Sequence, residues 1–291
     1  MSAVARRSVD TVAAPPEEAC YELAGHSGAR IVLHADRGRS FVRKTASNPA
    51  QNDRLLRQIE KQRDLTRSGV PFPRVLMSGF DAQGRAFFDM VYIPGRTLAD
   101  AVANALPFAP EPVLAAIERM LWLFKACDGE TLDPDLFRGK IAAIGGSGDA
   151  ARACAELLLR RDWRGIPSSP SHGDLTLENV ILGPEGQIVF IDCDAPWVSS
   201  WWLDLGKLYQ DVLGHWCIRR LNAGSVQRVN AIEKLSQLHT LLRALVARHG
   251  PRLAGCLPQL AALNLFRALP YATDGETEAF IFARVKRVLE G

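Results

Sequence analysis

The polar residues best suited to chemistry lie in one stretch, Ser171–Asn179, with Phe190-Ile191-Asp192 following it. The apolar residues between Asn179 and Asp192 are interrupted by Gly183–Gly186, which predicts two antiparallel strands joined by a tight turn. A turn centred near Pro184-Glu185 makes Asn179 and Asp192 cross-strand neighbours, with about 5 Å between the strands. Carboxylate and amide oxygens are ligands that Mg²⁺ prefers. The sequence therefore predicts a magnesium site at this end of the hairpin.

The order of these residues also carries a family resemblance. His-Gly-Asp, four residues, Asn, a hairpin and then Ile-Asp resembles the catalytic core of the aminoglycoside phosphotransferase and choline kinase family, small-molecule kinases with a protein-kinase-like fold. The resemblance implies that Asp174 is the catalytic carboxylate, which orients a substrate hydroxyl toward the γ-phosphate. It also implies that Asn179 and Asp192 bind Mg²⁺. It implies a structural role for His172 in the loop. It also implies that Asp204, at the start of a helix, stabilises the catalytic loop.

The same resemblance implies a nucleotide site nearer the amino terminus, for ATP or GTP. A glycine-containing loop over residues 24–28 would cover the phosphates, and Lys44 would hold the α- and β-phosphates. The segment 89–95 would bind the adenine through its backbone. The candidate nucleotide-binding residues of these three segments are Gly25, Ser27, Gly28, Lys44, Met90, Tyr92 and Ile93.

One position departs from the family pattern, in which a helix glutamate pairs with the strand lysine. Counting back from Gly69 puts Gln58 at that position. Glu60 comes two residues later, about 200° around a helix, and therefore faces elsewhere. Either a shifted register uses Glu60, or Gln58 hydrogen-bonds Lys44 without a full charge.

Hydrophobic periodicity divides the chain at Pro94-Gly95. Before it, β-favouring runs surround a helical pattern over 52–67; after it, helical patterns dominate around the hairpin. We expect an α+β, protein-kinase-like two-lobed fold with a small β-rich N-lobe carrying one helix and a larger, mainly helical C-lobe. The expected ranges are a loose tail over 1–18, an N-lobe over 19–94 and a C-lobe over 95–291. Predicted strands are 29–33, 40–44, 74–79 and 86–93, and predicted C-lobe helices are 97–105, 111–126, 149–160, 231–248, 257–268 and 276–289.

Composition excludes several other classes. The chain has 291 residues, of which 47% are apolar and 23% charged, an ordinary globular mixture. Its net charge of +3 is too small to indicate a nucleic-acid partner. The sequence contains neither an apolar run of the roughly 18 residues that a membrane helix needs nor a secretory signal pattern. The six cysteines form no metal-binding or disulfide pattern. We expect a cytoplasmic protein without membrane insertion, while its oligomeric state stays open.

These observations favour an enzyme that phosphorylates a hydroxyl of a small molecule, with Mg²⁺ and ATP or GTP. A sugar, a sugar-containing cell-envelope precursor or an amino alcohol is favoured as acceptor, because the C-terminal segment 284–291 is basic and the Trp-rich stretch 197–216 lacks an acidic cluster for a polycationic drug. An aminoglycoside-inactivating kinase is one alternative. A non-catalytic nucleotide-binding pseudokinase is another, for which Gln58 is the supporting feature. A protein kinase is discounted, because too few residues separate Asp192 from Asp204 for an activation loop.

Overall fold

The structure is a computed structural model that describes residues 19–23, 28–36 and 39–290. The chain divides into two compact units, Met1–Arg96 and Thr97–Gly291. The predicted tail over 1–18 lies outside the described residues, as do residues 37 and 38 of a predicted turn. The division falls two residues beyond Pro94, where a boundary was expected.

The first unit is built on one antiparallel sheet. Its strands are β1 (Ala19–Leu23), β2 (Arg30–Asp36), β3 (Arg39–Thr45), β4 (Val75–Phe80) and β5 (Ala86–Val91), in the order β1-β2-β3-β5-β4. The run from Tyr21, which is strand-like in sequence, is β1, paired with β2. The alternation of buried Val42 and Lys44 with half-buried Arg43 on β3 is the period of two that a strand imposes.

The α-helix that the structure describes in this unit, α1 (Asn52–Arg67), has the bounds predicted from the sequence. Its apolar residues recur at helical spacing, so that Leu55 and Ile59 pack into a cluster with Ala46 and Phe88 of the sheet region. The Asn52 side chain fixes the start of the helix, because it accepts from the Ala86 N–H and donates to the Gly84 carbonyl.

The second unit is mainly helical. After the two-residue strand β6 (Arg96–Thr97), one short hairpin, β7 (Val180–Leu182) and β8 (Ile188–Phe190), interrupts the helices. Among the described residues, none of the helices combines the length and apolar character that a membrane crossing requires. The helices are α2 (Leu98–Ala103), α3 (Pro110–Lys125), α4 (Pro134–Gly145), α5 (Asp149–Leu159), α6 (Trp201–Val212), α7 (Val226–Ala247), α8 (Pro251–Phe266) and α9 (Gly275–Glu290).

The hairpin register differs by one residue from the prediction. Val180 pairs with Phe190, and the Ile191 N–H donates to the Asn179 carbonyl at 3.0 Å. Asn179 is therefore opposite Ile191, and the prediction that it pairs directly with Asp192 is wrong. The Gly183 N–H donates to the Gln187 carbonyl at 2.8 Å, which centres the loop on Glu185, whereas a pairing of Asn179 with Asp192 needs a centre between Glu185 and Gly186. Asp192 is the residue after Ile191 and lies two positions beyond the end of β8.

Helices α6 and α8 form the closest packing of the second unit. Gly206 of α6 faces α8 so closely that an added Cβ would lie 2.8 Å from the Leu260 Cβ and 3.0 Å from Asn264 Nδ2. Both neighbours are buried, which leaves little room for them to move. A glycine at this position therefore allows the two helix backbones to approach.

We predict that Gly206→Ala destabilises the chain by about 1–3 kcal/mol, because the new methyl group overpacks this contact. Gly255→Ala is the matched control, since the same change within α8 meets open space. The control should stabilise the chain by about 0.5–1 kcal/mol through the higher helix propensity of alanine. Urea unfolding of both variants measures the difference, and equal free energies of unfolding would contradict the prediction.

Candidate active site

The candidate active site of the second unit is organised by the buried carboxylate of Asp204. Its oxygens accept hydrogen bonds from the backbone N–H groups of His172 at 2.5 Å and Gly173 at 2.8 Å. Asp204 belongs to the first turn of α6 and is only 1% exposed. A buried carboxylate is favourable only when charged donors or several N–H groups surround it. Two donors in succession therefore tie the loop over 171–174 to the helix.

The start of α6 is fixed by two hydroxyl groups. The Ser200 side chain accepts from the Trp202 N–H at 3.3 Å, and the Ser169 hydroxyl accepts from the Trp201 N–H at 2.9 Å. These caps satisfy N–H groups that a helix start leaves without partners. They also fix where the Asp204 carboxylate lies relative to the loop.

Gly173 is required by the shape of this loop. Its φ of +93° is unfavourable for side-chain-bearing residues, and an added Cβ would lie 2.2 Å from the Asp194 carbonyl oxygen. The close approach brings the segment after β8 against the loop, where the Asp194 N–H donates to the His172 carbonyl at 3.0 Å. The His172 ring is fully buried and packs edge-on against Phe190, with 6.3 Å between ring centres. This packing agrees with the structural role expected for His172.

Asp174, the predicted catalytic residue, is held by two side chains. Its Oδ1 lies 3.0 Å from Lys207 Nζ, and its Oδ2 accepts from Asn179 Nδ2 at 3.1 Å. Burial alone would raise the pKa of Asp174, but Lys207, His172 and Asn179 lower it below its ordinary value. The side chain nevertheless remains 39% exposed. It is therefore an ionised carboxylate that a small molecule can reach.

Asn179 and Asp192 lie on either side of the hairpin's open end. Asn179 is 8% exposed, and its Nδ2 also donates to the Asp174 carbonyl at 2.7 Å, so that its Oδ1 is the atom suited to bind a cation. Asp192 is half-buried and has a φ of 57°, in the left-handed region. Such a conformation at a residue other than glycine costs about 1 kcal/mol and is often found at functional sites. The amide and carboxylate oxygens are a donor set that fits Mg²⁺.

Lys207 is a residue that sequence reasoning missed. It follows Asp204 by three positions, which puts both side chains on one face of α6. Helical spacing from the loop brace was the available signal. A second cation, Arg267, lines the same small cavity as Lys207 and Gly173. Burial lowers the pKa of Arg267, while the charges of Asp174 and Asp194 favour its protonated form.

In the first unit, Lys44 of β3 is 3% exposed, and Ala46, two residues later, directly follows the end of that strand. Alternation puts both on the sheet face that α1 covers, since Ala46 packs with Leu55 and Ile59. Gln58 of α1 is 6% exposed, whereas Glu60 is exposed to solvent. Of the two candidate partners for Lys44, Gln58 therefore lies on the buried face.

The other predicted nucleotide-binding positions divide into two groups. Gly25 and Ser27 lie outside the described residues, and Gly28 is described, with a left-handed φ of +74° that suits glycine. In the second group, Met90 belongs to β5, and Tyr92 and Ile93 follow its end. The Tyr92 N–H donates to the Ser40 carbonyl at 3.4 Å and so belongs to the sheet. All three residues of that segment are half-buried.

Asp211 is the second acid of α6, after Asp204, and it also faces the catalytic loop. Its Oδ2 accepts from the Leu177 N–H at 2.7 Å, and it is fully buried. Within the described residues its Oδ1 has no hydrogen-bond partner. Burial raises the pKa of Asp211 to about 7, and the charge of Glu178 adds to the increase.

We predict that this carboxyl makes stability depend on pH. Its ordinary pKa of 3.8 applies in the unfolded chain, so between about pH 4 and pH 7 only the folded chain keeps the proton. The stabilisation is complete below that window and is lost as the pH rises through 7. The side chain in Asp211→Asn cannot ionise but keeps an acceptor oxygen. The free energy of unfolding of this variant should therefore fall less across the window than that of the native chain, by up to about 4 kcal/mol.

Urea unfolding at pH 4.5 and 7.5 measures the effect. Asp149→Asn is the control, because the Asp149 side chain is 96% exposed. Parallel pH curves for the native chain and Asp211→Asn would show that Asp211 does not titrate in this way.

Comparisons with known proteins agree with this geometry. Residues 22–239 match the model of the phosphotransferase enzyme family. The sequence has no significant match among curated proteins.

Solved structures share the fold at low identity. A ternary complex of the aminoglycoside phosphotransferase APH(4)-Ia with ADP and hygromycin B is 15% identical, with 94% of this chain and 93% of that chain covered and a TM-score of 0.59. A putative fructosamine-3-kinase from Haemophilus somnus is 11% identical, with 93% and 91% covered and a TM-score of 0.58. The aminoglycoside phosphotransferase APH(3'')-Id from Streptomyces rimosus is 18% identical, with 94% and 92% covered and a TM-score of 0.54. The chain therefore has the expected protein-kinase-like α+β fold and belongs to the phosphotransferase enzyme family.

Proposed function

We propose that the chain transfers the γ-phosphoryl group of Mg-ATP or Mg-GTP to a hydroxyl group of a small molecule. The observation that carries the proposal is Asp174, an accessible carboxylate kept ionised by Lys207 at 3.0 Å and Asn179 at 3.1 Å. The loop that bears it is fixed to α6 through Asp204. Such an arrangement can orient a hydroxyl for in-line attack.

Asp174 acts in this proposal mainly by positioning. A low pKa makes it a weak base, but phosphoryl transfer passes through a loose transition state in which little proton removal is needed early. The hydroxyl donates a hydrogen bond to a carboxylate oxygen, which aims one oxygen lone pair at the phosphorus. The proton then moves to Asp174 as the new P–O bond forms and the bond to the nucleoside diphosphate breaks.

Asn179 and Asp192 are the residues that we assign to Mg²⁺. The cation, when bound, neutralises charge on the phosphate oxygens. Mg²⁺ keeps several waters and takes few protein ligands, which suits one amide and one carboxylate oxygen. The bond from Asn179 Nδ2 to Asp174 fixes the carboxamide so that its oxygen, rather than its nitrogen, is available.

We assign the nucleotide to residues of the first unit. Lys44 binds the phosphates, with Gln58 rather than Glu60 as its neighbour, since Lys44 and Gln58 are both buried. A neutral Gln58 would orient the lysine without neutralising it. Gly28 is assigned to the phosphates, and the segment from Met90 to Ile93 is assigned to the base.

The acceptor is proposed to be neutral or acidic, such as a sugar or a cell-envelope precursor. Lys207 and Arg267 both line the cavity beside the catalytic loop. Lys207 is paired with Asp174, and Arg267 adds a second positive charge beside them, which disfavours a polycationic aminoglycoside and favours a hydroxylated molecule without positive charge. Phosphorylation of an aminoglycoside by this chain is the competing outcome of the test below.

The first test is transfer of labelled γ-phosphate from Mg-ATP, and then Mg-GTP, to a panel of neutral sugars, acidic sugars and aminoglycosides. We predict labelled sugar products, which Asp174→Asn should lower by about 10²–10⁴-fold while nucleotide binding is unchanged. Asp192→Ala should instead weaken binding of the nucleotide with Mg²⁺. Glu178→Gln, a neighbouring half-buried acid outside the proposed roles, is the control. Nucleotide binding without transfer to any acceptor would favour a pseudokinase.

A second prediction concerns Lys207. Because Lys207 lowers the pKa of Asp174, Lys207→Met should raise that pKa. The reaction needs the ionised carboxylate, so the acid limb of the pH–rate profile should move to higher pH. Lys140→Met, which removes an exposed lysine of α4, is the control. A uniform loss of rate with an unmoved acid limb would contradict this role for Lys207.

A further inference from the structure

The second unit contains an open cavity that the proposed reaction does not use. It measures about 500 Å³ and lies among α6, α7, α8 and α9. Small-molecule sites commonly occupy about 300–1,000 Å³. Its walls are mostly apolar, with Leu213 directly after α6, Val246 from α7, Leu257 and Pro258 from α8, and Val288 from α9.

The cavity is on the opposite side of α6 from the catalytic loop. Asp204, Lys207 and Asp211 recur every three or four residues and bind that loop. Tyr209 and Leu213, which line the cavity, are also four residues apart. Tyr209 follows Lys207 by two positions, about 200° around the helix. An acceptor at Asp174 therefore does not occupy this cavity.

Tyr209 supplies a polar group in the cavity wall. The residue is 3% exposed, and no hydrogen bond joins its hydroxyl to another described residue. Burial raises the pKa of Tyr209 to about 12, so that it keeps its proton and can donate. The hydroxyl is not fully enclosed by protein, so it can donate to an oxygen of a ligand in the cavity.

Two arginines add positive charge at the same cavity. Arg243 of α7 and Arg287 of α9 line it, are exposed to solvent, and form no ion pair with any described residue. The cavity also contains His239, whose ring packs edge-on against Tyr209 at 5.5 Å. Burial and the charge of Arg243 lower the pKa of His239, which is therefore neutral at pH 7. The cavity thus combines apolar walls with two guanidinium groups.

We propose that this cavity binds an amphipathic anion. The apolar body of the ligand packs against Leu213, Leu257 and Val288, and its carboxylate or phosphate group binds Arg243 and Arg287. The Tyr209 hydroxyl donates to an oxygen of the same ligand. This site is independent of the proposed phosphotransfer, since none of its residues belongs to the catalytic machinery.

Calorimetric titration of the full chain with dodecanoate and dodecyl phosphate, below their micelle concentrations, tests the proposal. Dodecanol and dodecylamine are the uncharged and cationic comparisons. We expect one anion per chain, with the comparisons bound at least about tenfold more weakly, because arginine bonds to a charged oxygen are strong. The double variant R243Q/R287Q should lose about tenfold or more in anion affinity, and Tyr209→Phe about fivefold.

Lys286→Gln is the matched control, because it removes one positive charge from an exposed position of α9 outside the cavity. It should leave anion affinity unchanged, and thermal unfolding should show that every variant is folded. Equal affinity for dodecanol, no binding of either anion, or unchanged affinity in R243Q/R287Q would overturn the proposal. Binding only to phosphatidylglycerol vesicles would also overturn it, since a lipid surface would then be the ligand. None of these readouts depends on phosphotransfer activity.

Discussion

The rest of the candidate site depends on the hydrogen bonds that the buried Asp204 carboxylate accepts. Burying a carboxylate costs several kcal/mol unless hydrogen bonds replace its water, and here the N–H groups of His172 and Gly173 do so. Both donors belong to backbone, so their positions cannot relax without moving the loop. Asp174 follows these two residues directly, and its position is therefore set by a helix rather than by a flexible segment.

Charge balance then decides the state of Asp174. A half-buried carboxylate between Asn179 and Lys207 stays ionised at neutral pH, whereas Asp211, buried against the Leu177 N–H, has a pKa of about 7. Asp174 belongs to the catalytic loop, and Asp211 contacts that loop from α6. Lys207 lowers the pKa of both carboxyls, but Asp174 also accepts hydrogen bonds from the Lys207 and Asn179 side chains, whereas Asp211 is buried with the Leu177 N–H as its donor. The two acids therefore differ in protonation because hydrogen bonds offset burial more fully at Asp174.

Local pattern predicted the elements that have strong periodicity and clear ends. The bounds of α1 were correct because residues 52–67 lack glycine and proline and end at Ser68-Gly69. Helix α4 was missed, since Gly139 and Gly145 interrupt its pattern. The predicted start of α8 was six residues late, because Pro258 is usually a helix breaker and here lies inside the helix. The periodicity and the ends of the segments were sufficient to predict the two-part α+β organisation.

The site was predictable where residues are close in sequence and not where packing joins distant segments. The spacing of Asp174, Asn179 and Asp192 is local, so the sequence indicated them as one cluster. The one-residue register error came from the assumed centre of the turn, because the sequence does not show that Gly183 pairs with Gln187 around Glu185.

Predicting the role of Lys207 requires knowing that the Asp204 face of α6 lies against the loop. Only the tertiary structure shows this. The same helix shows why such contacts are precise. Gly206 lies between Leu205 and Lys207 and lets α8 approach the backbone, so the helix is held on one side by α8 and on another by the loop. A helix confined in this way has little freedom to rotate, so Lys207 is held in contact with the Asp174 carboxylate.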